Sequence, residues 1–482
     1  MLFNSSEFVI FFATLFALYY FIFKEKTKSQ NILLLVASYF FYACADWKLL
    51  PLLIAATLVY YGLGLAIFKT VGSRRATTLS TLGVVFGIAV LGYFKYTNFF
   101  ISSFQTLFES LGLHTNWHTF KIIVPIGISF YTFRLLSYVI DISRGKYEPA
   151  RDLVAFATYV AFFPCILSGP IDRPNTLIPQ LQKKRIFDYA LATDGLRQIL
   201  WGMFKKMVIA DNCAAMTGIG ADYMNCSGST LLLGTLLYTL QMYADFSGYT
   251  DMVIGVGKLL GFQLTKNFAC PLFAQNIADY WRKWHISLTS WLTDYVFMPL
   301  NIKWRDWGNW GMALSIIITF VLIGSWHGAS WTFVIFGLYH GLLYVPLILS
   351  GGMFKKTKIE TGKWGFPKLK TLAKMLLTFF LVSFGLILFR ADSLTQAWNY
   401  LGRIFSASLF AIPAISEMQD KLIMSFFIAI LLLVDWVNRD KQHGLQMDNI
   451  KSSVVKWLIY FSLIVIIWAF GGSQERFIYF QF

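Results

Sequence analysis

His285, His327 and His340 lie in apolar, aromatic sequence. An ionisable side chain is costly there, which makes a functional role the first hypothesis to weigh. The competing reading for each is a core histidine satisfied by a backbone carbonyl. His327 stands in Gly324-Ser325-Trp326-His327-Gly328-Ala329, a small-residue break between two apolar runs. Glycines on both sides let backbone or substrate come close to the ring, and a neutral imidazole can take the proton of a hydroxyl. His285 follows Asp279-Tyr280-Trp281-Arg282-Lys283-Trp284, where cations and aromatics read as an interfacial segment entering the membrane. His340 follows Gly337-Leu338-Tyr339 inside an apolar run, and the core reading prevails there. His114, His118 and His443 fall in polar loops and turns and read as solvated surface residues.

A second polar group interrupts the run Leu240 to Asp251, which contains Gln241, Tyr243, Asp245, Ser247, Thr250 and Asp251. Two carboxylates suggest acid–base work, but six positions apart on a helix they point in different directions. A polar wall, or a partner that orients a histidine, suits them better; a plain helix end with capping residues is the bland alternative. No spacing recommends zinc on His285, His327 and His340, so no metal is expected. No Gly-x-Ser-x-Gly, Walker loop or His-Glu-x-x-His occurs. The five cysteines are scattered without a Cys-x-x-Cys, and read as small apolar fillers.

Membrane helices must hold these residues. Of 482 positions 57% are hydrophobic, 18% aromatic and 14% charged, with a mean hydropathy of +0.58; a soluble domain is about a quarter charged. The excess of 41 Lys and Arg over 25 Asp and Glu falls in short runs between apolar segments. That pattern fits anionic membrane lipid rather than nucleic acid. Candidate spans are residues 8–23, 32–45, 49–68, 79–94, 122–140, 231–243, 313–323, 332–349, 372–389, 422–437 and 454–470, and about ten to twelve crossings are expected. The first run lacks a positive n-region and a small-residue cleavage site, so it is expected to stay as a spanning helix.

Basic runs after the first, third and fifth segments place those ends in the cytoplasm and the N-terminus outside; the lysine-rich region 354–374 repeats the pattern, and the end of the chain falls outside. Residues 161–310 resist this alternation, because Phe163-Pro164, Gly169-Pro170 and the basic stretch 173–185 interrupt any continuous span. Broken backbone at membrane depth needs protein or a water-filled cavity to satisfy it, so chemistry is expected there. The chain reads as one membrane domain, 1–482, with N-terminal helices (1–150), a catalytic core (151–350) and C-terminal helices (351–482).

The sequence resembles the membrane-bound O-acyltransferase family, in particular the bacterial branch that modifies alginate and teichoic acid. The similarity runs through Val124-Pro125-Ile126-Gly127-Ile128-Ser129-Phe130, Phe162-Phe163-Pro164, Ser168-Gly169-Pro170-Ile171, and Tyr243-Ala244-Asp245-Phe246-Ser247-Gly248-Tyr249. It continues through residues 281–288, Ser325-Trp326-His327-Gly328-Ala329, Leu388-Phe389-Arg390-Ala391 and the ending Phe477-Ile478-Tyr479-Phe480-Gln481-Phe482. Lys283 stands where the pattern often has Arg and Ser325 where it often has Leu; residues 299–303 lack the glycines associated with alginate-type members, which leaves the acceptor open.

The resemblance implies an all-α, polytopic protein, with tilted, re-entrant and interfacial helices ringing a thin core pierced by a funnel from each face. It implies that His327 is central to catalysis and that His285 is the second histidine of the bacterial branch. Tyr243, Asp245, Ser247, Asp251, Trp284 and Trp326 are the candidate substrate-tunnel residues, with Asp245 or His285 orienting the His327 ring or holding the acyl carbonyl. The expected reaction moves an acyl group, acetyl above all, from a cytoplasmic thioester to a hydroxyl of a cell-envelope or exported polysaccharide, directly or through an extracytoplasmic acyltransferase partner. The donor, acetyl-coenzyme A or an acyl carrier, is a substrate, and no bound cofactor is implied. The implied location is the bacterial inner membrane. A proton-coupled secondary transporter and a non-catalytic scaffold are the rivals from other classes.

Overall fold

Every regular element in the computed structural model, which describes residues 1–113, 117–216, 221–414, 418–472 and 477–478, is a helix or helical turn. One isolated bridge pairs Thr361 with Pro367. His114 and the ending residues 479–482 lie outside the described residues. Two compact units are present: Met1–Leu196 with Val253–Thr265, and Arg197–Met252 with Lys266–Phe482.

Among the described residues, six helical stretches are long and apolar enough to cross a membrane: Thr27–Phe68, Arg74–Ser110, Arg305–His327, Trp331–Leu349, Leu369–Arg390 and Ser453–Phe470. The first is two helices, Thr27–Asp46 and Leu50–Phe68, joined where the Asp46 carboxylate accepts from the Lys48 N–H at 2.9 Å. The expected ten to twelve crossings included segments that fold as shorter, bent or charged helices. Residues 122–140 are helical only from Ile128, because Pro125 and the left-handed Gly127 (φ 73°) delay the start. The resulting helix Ile128–Ser143 carries Arg134 and Asp141, and Gly228–Leu259 carries Asp245, Asp251 and Lys258.

The first unit shows how broken backbone survives in this setting. The helix Leu153–Ala161 stops before Phe163-Pro164, and the chain stays buried through Ile171 without a continuous helix. The Arg134 guanidinium, fully buried, donates to the carbonyls of Tyr159 (3.2 Å), Val160 (3.3 Å) and Pro170 (3.1 Å). A planar fork with five N–H groups suits three diverging carbonyls where water is excluded.

In the second unit the helices Gly308–His327 and Trp331–Leu349 form a tight hairpin. A side chain at Gly324 would run into the Phe333 carbonyl and the Gly337 backbone, and one at Gly337 into the Phe320 carbonyl. Backbone packs on backbone, as small residues allow between membrane helices. The hairpin turns at Gly328, and Ser330 caps the second helix by accepting from the Thr332 N–H.

Candidate active site

His327 closes the helix Gly308–His327 and is buried. Its ring meets Trp326 at 5.0 Å, Phe389 at 5.1 Å and Phe336 at 6.3 Å. It faces an internal cavity of about 10 Å³, room for about one water. The other walls come from Tyr280, Trp281 and Trp284, from Phe336 and His340, from Met242, and from Val382, Leu386 and Phe389. The flanking glycines, expected to open the ring to substrate, instead serve packing: a side chain at Gly328 would collide with the Phe333 ring.

His340, assigned to the core from sequence, lines the same cavity. The Trp281 indole N–H donates to His340 Nδ1 at 3.3 Å. An indole only donates, so that nitrogen accepts and the proton of the neutral ring sits on Nε2. Gly385 leaves the space that Nε2 occupies.

His285 caps the short helix Ile286–Leu292 in a left-handed conformation (φ 46°), a conformation that costs a non-glycine residue about 1–2 kcal/mol. The strain is held by Asn267, whose backbone carbonyl accepts from the Ile286 N–H at 2.9 Å and whose side-chain oxygen accepts from the Ser287 N–H and hydroxyl. The His285 ring lies 4.8 Å from Phe246 and 5.8 Å from Trp326. Trp326 therefore touches both His285 and His327. Complete enclosure pushes the His285 imidazole down to about 3, which keeps it neutral.

Of the sequence-predicted residues, Trp284 lines the His327 cavity, and Trp326 and His285 adjoin it. Tyr243, Asp245, Ser247 and Asp251 are brought together elsewhere, in a buried ionic network. Lys206 Nζ lies 2.7 Å from Asp245 and 2.8 Å from Asp211. Lys205 Nζ pairs with Asp251 at 2.6 Å and donates to Ser247 Oγ at 3.0 Å. The Tyr243 hydroxyl donates to Asp435 at 2.6 Å, and Gln198 donates to Asp251 at 2.8 Å. Asp245 also accepts the Ile478 N–H at 2.8 Å, while Lys206 Nζ sits 4.5 Å over the Phe477 ring. Both Asp245 oxygens are thus engaged by Lys206 and Ile478 rather than by a histidine.

One helix, Gly228–Leu259, divides the two regions between its faces. Met242 and Phe246, four residues apart, turn toward the histidines, and Ser247 and Asp251, also four apart, meet Lys205. The network's cationic half lies outside the residues first singled out; its signal was Lys205-Lys206 inside the apolar run 201–210. His443, expected on the surface, is buried. Its turn folds inward because Asn438 donates to the Gly444 carbonyl at 2.9 Å and Gly444 lies against the Trp201 ring. His118 is exposed as expected.

Comparison with known proteins bears directly on this arrangement. Residues 149–365, which contain His285, His327 and His340, match the model of MBOAT, the membrane-bound O-acyltransferase family. The chain is 37% identical to a probable alginate O-acetylase of Azotobacter vinelandii over 90% of its own length and 83% of that protein. It is 30% identical to a peptidoglycan O-acetyltransferase of Helicobacter pylori over 100% of its length and 98% of that protein. Against a teichoic acid D-alanyltransferase of Bacillus subtilis it is 32% identical over 55% of its length and 68% of that protein. A helical membrane chain with a buried, aromatic-walled histidine, similar to the alginate and peptidoglycan O-acetylating proteins over nearly its full length, belongs to the membrane-bound O-acyltransferase family and is an O-acyltransferase.

Proposed function

We propose that the protein transfers an acyl group, acetyl above all, from an acyl thioester to a hydroxyl of a cell-envelope or exported polysaccharide. The observation that carries this reading is the buried His327, which with His340 supplies the imidazoles on the small aromatic cavity. The neutral His327 imidazole takes the hydroxyl proton as the oxygen attacks the thioester carbonyl. The C–O bond forms, the C–S bond breaks, and the leaving sulfur takes the proton back from the ring. Aromatic walls exclude water that would otherwise hydrolyse the thioester. His285, neutral and held in its left-handed backbone conformation beside Trp326, acts by positioning that indole and, through it, the His327 ring. Tyr243, Asp245, Ser247 and Asp251 hold the helix faces in register.

Relatives named for alginate, peptidoglycan and teichoic acid support an envelope polymer as acceptor class. Basic loops on one side of the helix alternation support a donor arriving from the cytoplasm, as acetyl-coenzyme A or an acyl carrier, with the protein in the bacterial inner membrane. On this reading an extracytoplasmic acyltransferase partner carries the acyl group onward wherever the acceptor cannot reach the cavity.

The test is base-released acetate from envelope polysaccharide in cells lacking the protein, rescued with wild type or His327→Ala at membrane levels matched by blot. Acetate restored by wild type alone supports the proposal. Rescue by both variants removes His327 from the chemistry, and unchanged acetate in the deletion strain sinks the acetyl assignment.

A further inference from the structure

Beside the histidine cavity lies a larger groove of about 370 Å³, within the range of about 300–1,000 Å³ typical of small-molecule sites. Its walls belong to the helices Gly308–His327 (Ile316, Phe320, Ile323) and Ile286–Leu292 with the turn that follows. Trp281 alone among the described residues lines both the groove and the cavity that holds His327.

Resting on the acyl-transfer reading above, we infer that Trp281 sets the length of the acyl group. It stands between the groove, which takes the pantetheine arm of the thioester donor, and the histidine cavity, which takes the acyl end. Trp281 is buried and held from three directions. Its N–H donates to His340 at 3.3 Å, and its ring meets Phe320 edge-on at 5.0 Å and Tyr280 at 5.7 Å.

The groove suits such an arm chemically. Thr289, Ser290 and Thr293 line it, and each hydroxyl donates its proton to a helix carbonyl, at 3.3, 3.1 and 2.7 Å. Their remaining lone pairs accept, which matches the amide N–H groups of pantetheine. The wall formed by Ile316, Phe320 and Ile323 is mostly apolar, with Thr319 and Tyr344 as its hydroxyl-bearing side chains. At one end stand Met353 and Phe354, which begin the lysine-rich region, with Arg282 anchored on the Met353 carbonyl at 3.0 Å. That end suits the phosphate to which a pantetheine arm is joined in both coenzyme A and acyl carriers, and Asp294 is the one carboxylate on the wall. Beyond Trp281 the cavity has room for about one water, so a two-carbon acyl group fits with a small shift of the indole and a four-carbon group does not.

The experiment uses the full chain, purified in lipid nanodiscs, with envelope polysaccharide as acceptor. Thiol release is followed from acetyl- and butyryl-phosphopantetheine and from acetyl- and butyryl-coenzyme A. One methylene in an apolar pocket is worth about 10-fold or more, so wild type is expected to prefer acetyl by at least about 10-fold. Trp281→Leu is expected to erase that preference by raising butyryl turnover, and His340→Phe, which frees the indole, to erode it in part. If Trp281→Leu does not fold, Trp281→Phe carries the same expectation in smaller measure. An unchanged acetyl-to-butyryl ratio in folded variants that still turn over acetyl overturns the role of Trp281. Wild type that releases no thiol from any donor overturns instead the thioester reading on which this rests. Turnover of the coenzyme A thioesters without the phosphopantetheine ones would mean that the nucleotide, not the arm in the groove, provides recognition, and would overturn the groove assignment.

Discussion

A general base contributes about 10²–10⁴-fold to a transfer of this kind, and on the proposed mechanism His327 supplies it. Its aromatic neighbours Trp326, Phe336 and Phe389 fix where the ring sits, so His327→Ala should lower turnover by that factor while the protein remains folded, as a matched-abundance assay would read. His285 leads to a different expectation. Its imidazole is neutral in the fold down to about pH 3, whereas in an unfolded chain it takes up a proton below about 6.5. The unfolded state therefore binds more protons between those limits, and stability is lost as pH falls, by up to about 1.4 kcal/mol per pH unit. The melting midpoint in detergent should drop more steeply from pH 6.5 to 4 in wild type than in His285→Gln. Parallel slopes would mean that the histidine is not enclosed.

Helices in this protein are positioned by devices that act between elements. Between Ala161 and Pro170 the chain has no continuous helix, and the Tyr159, Val160 and Pro170 carbonyls around this break depend on Arg134. Leaving a buried acceptor unsatisfied costs about 1–3 kcal/mol, so Arg134→Leu should remove several kcal/mol and most of the folded protein from membranes. Arg134→Lys should recover only part, because an ammonium lacks the planar fork. Gel-filtration profiles of a fluorescent fusion would report both variants, and a wild-type profile for Arg134→Leu would contradict the assignment. The Gly324–Gly337 crossing and the Lys205/Lys206 network work in the same way, the first by removing side chains, the second by pairing charges that neither helix could bury alone.

Across the whole molecule the excess of 41 cationic over 25 anionic side chains is unevenly spread. Residues 354–374 concentrate it, with Glu360 as the one carboxylate, held below its usual range by hydrogen bonding to and attraction from Lys368. If this region draws in a phosphate-bearing donor, Lys355→Gln, Lys356→Gln and Lys358→Gln combined should raise KM for acetyl-coenzyme A several-fold and weaken its salt dependence while kcat holds, since steering acts on encounter. A kcat effect with unchanged KM would place these lysines elsewhere in the cycle.

The sequence by itself determined the membrane class, the helical character and the three histidines worth pursuing, because hydropathy and short motifs are local properties carried by neighbouring residues. It also located the broken region, since prolines and glycines interrupt helices wherever they stand. Tertiary structure decided which polar groups meet. Asp245 pairs with Lys206 39 positions away and with the Ile478 N–H 233 positions away, separations over which no periodicity in the sequence speaks. His340 could not be told from a core histidine until Trp281, 59 positions upstream, reached it across the cavity. The glycines around His327 likewise read as access to the ring until the neighbouring helix filled the space they leave. A buried polar group takes its role from its partner, and the partner is chosen by how helices pack.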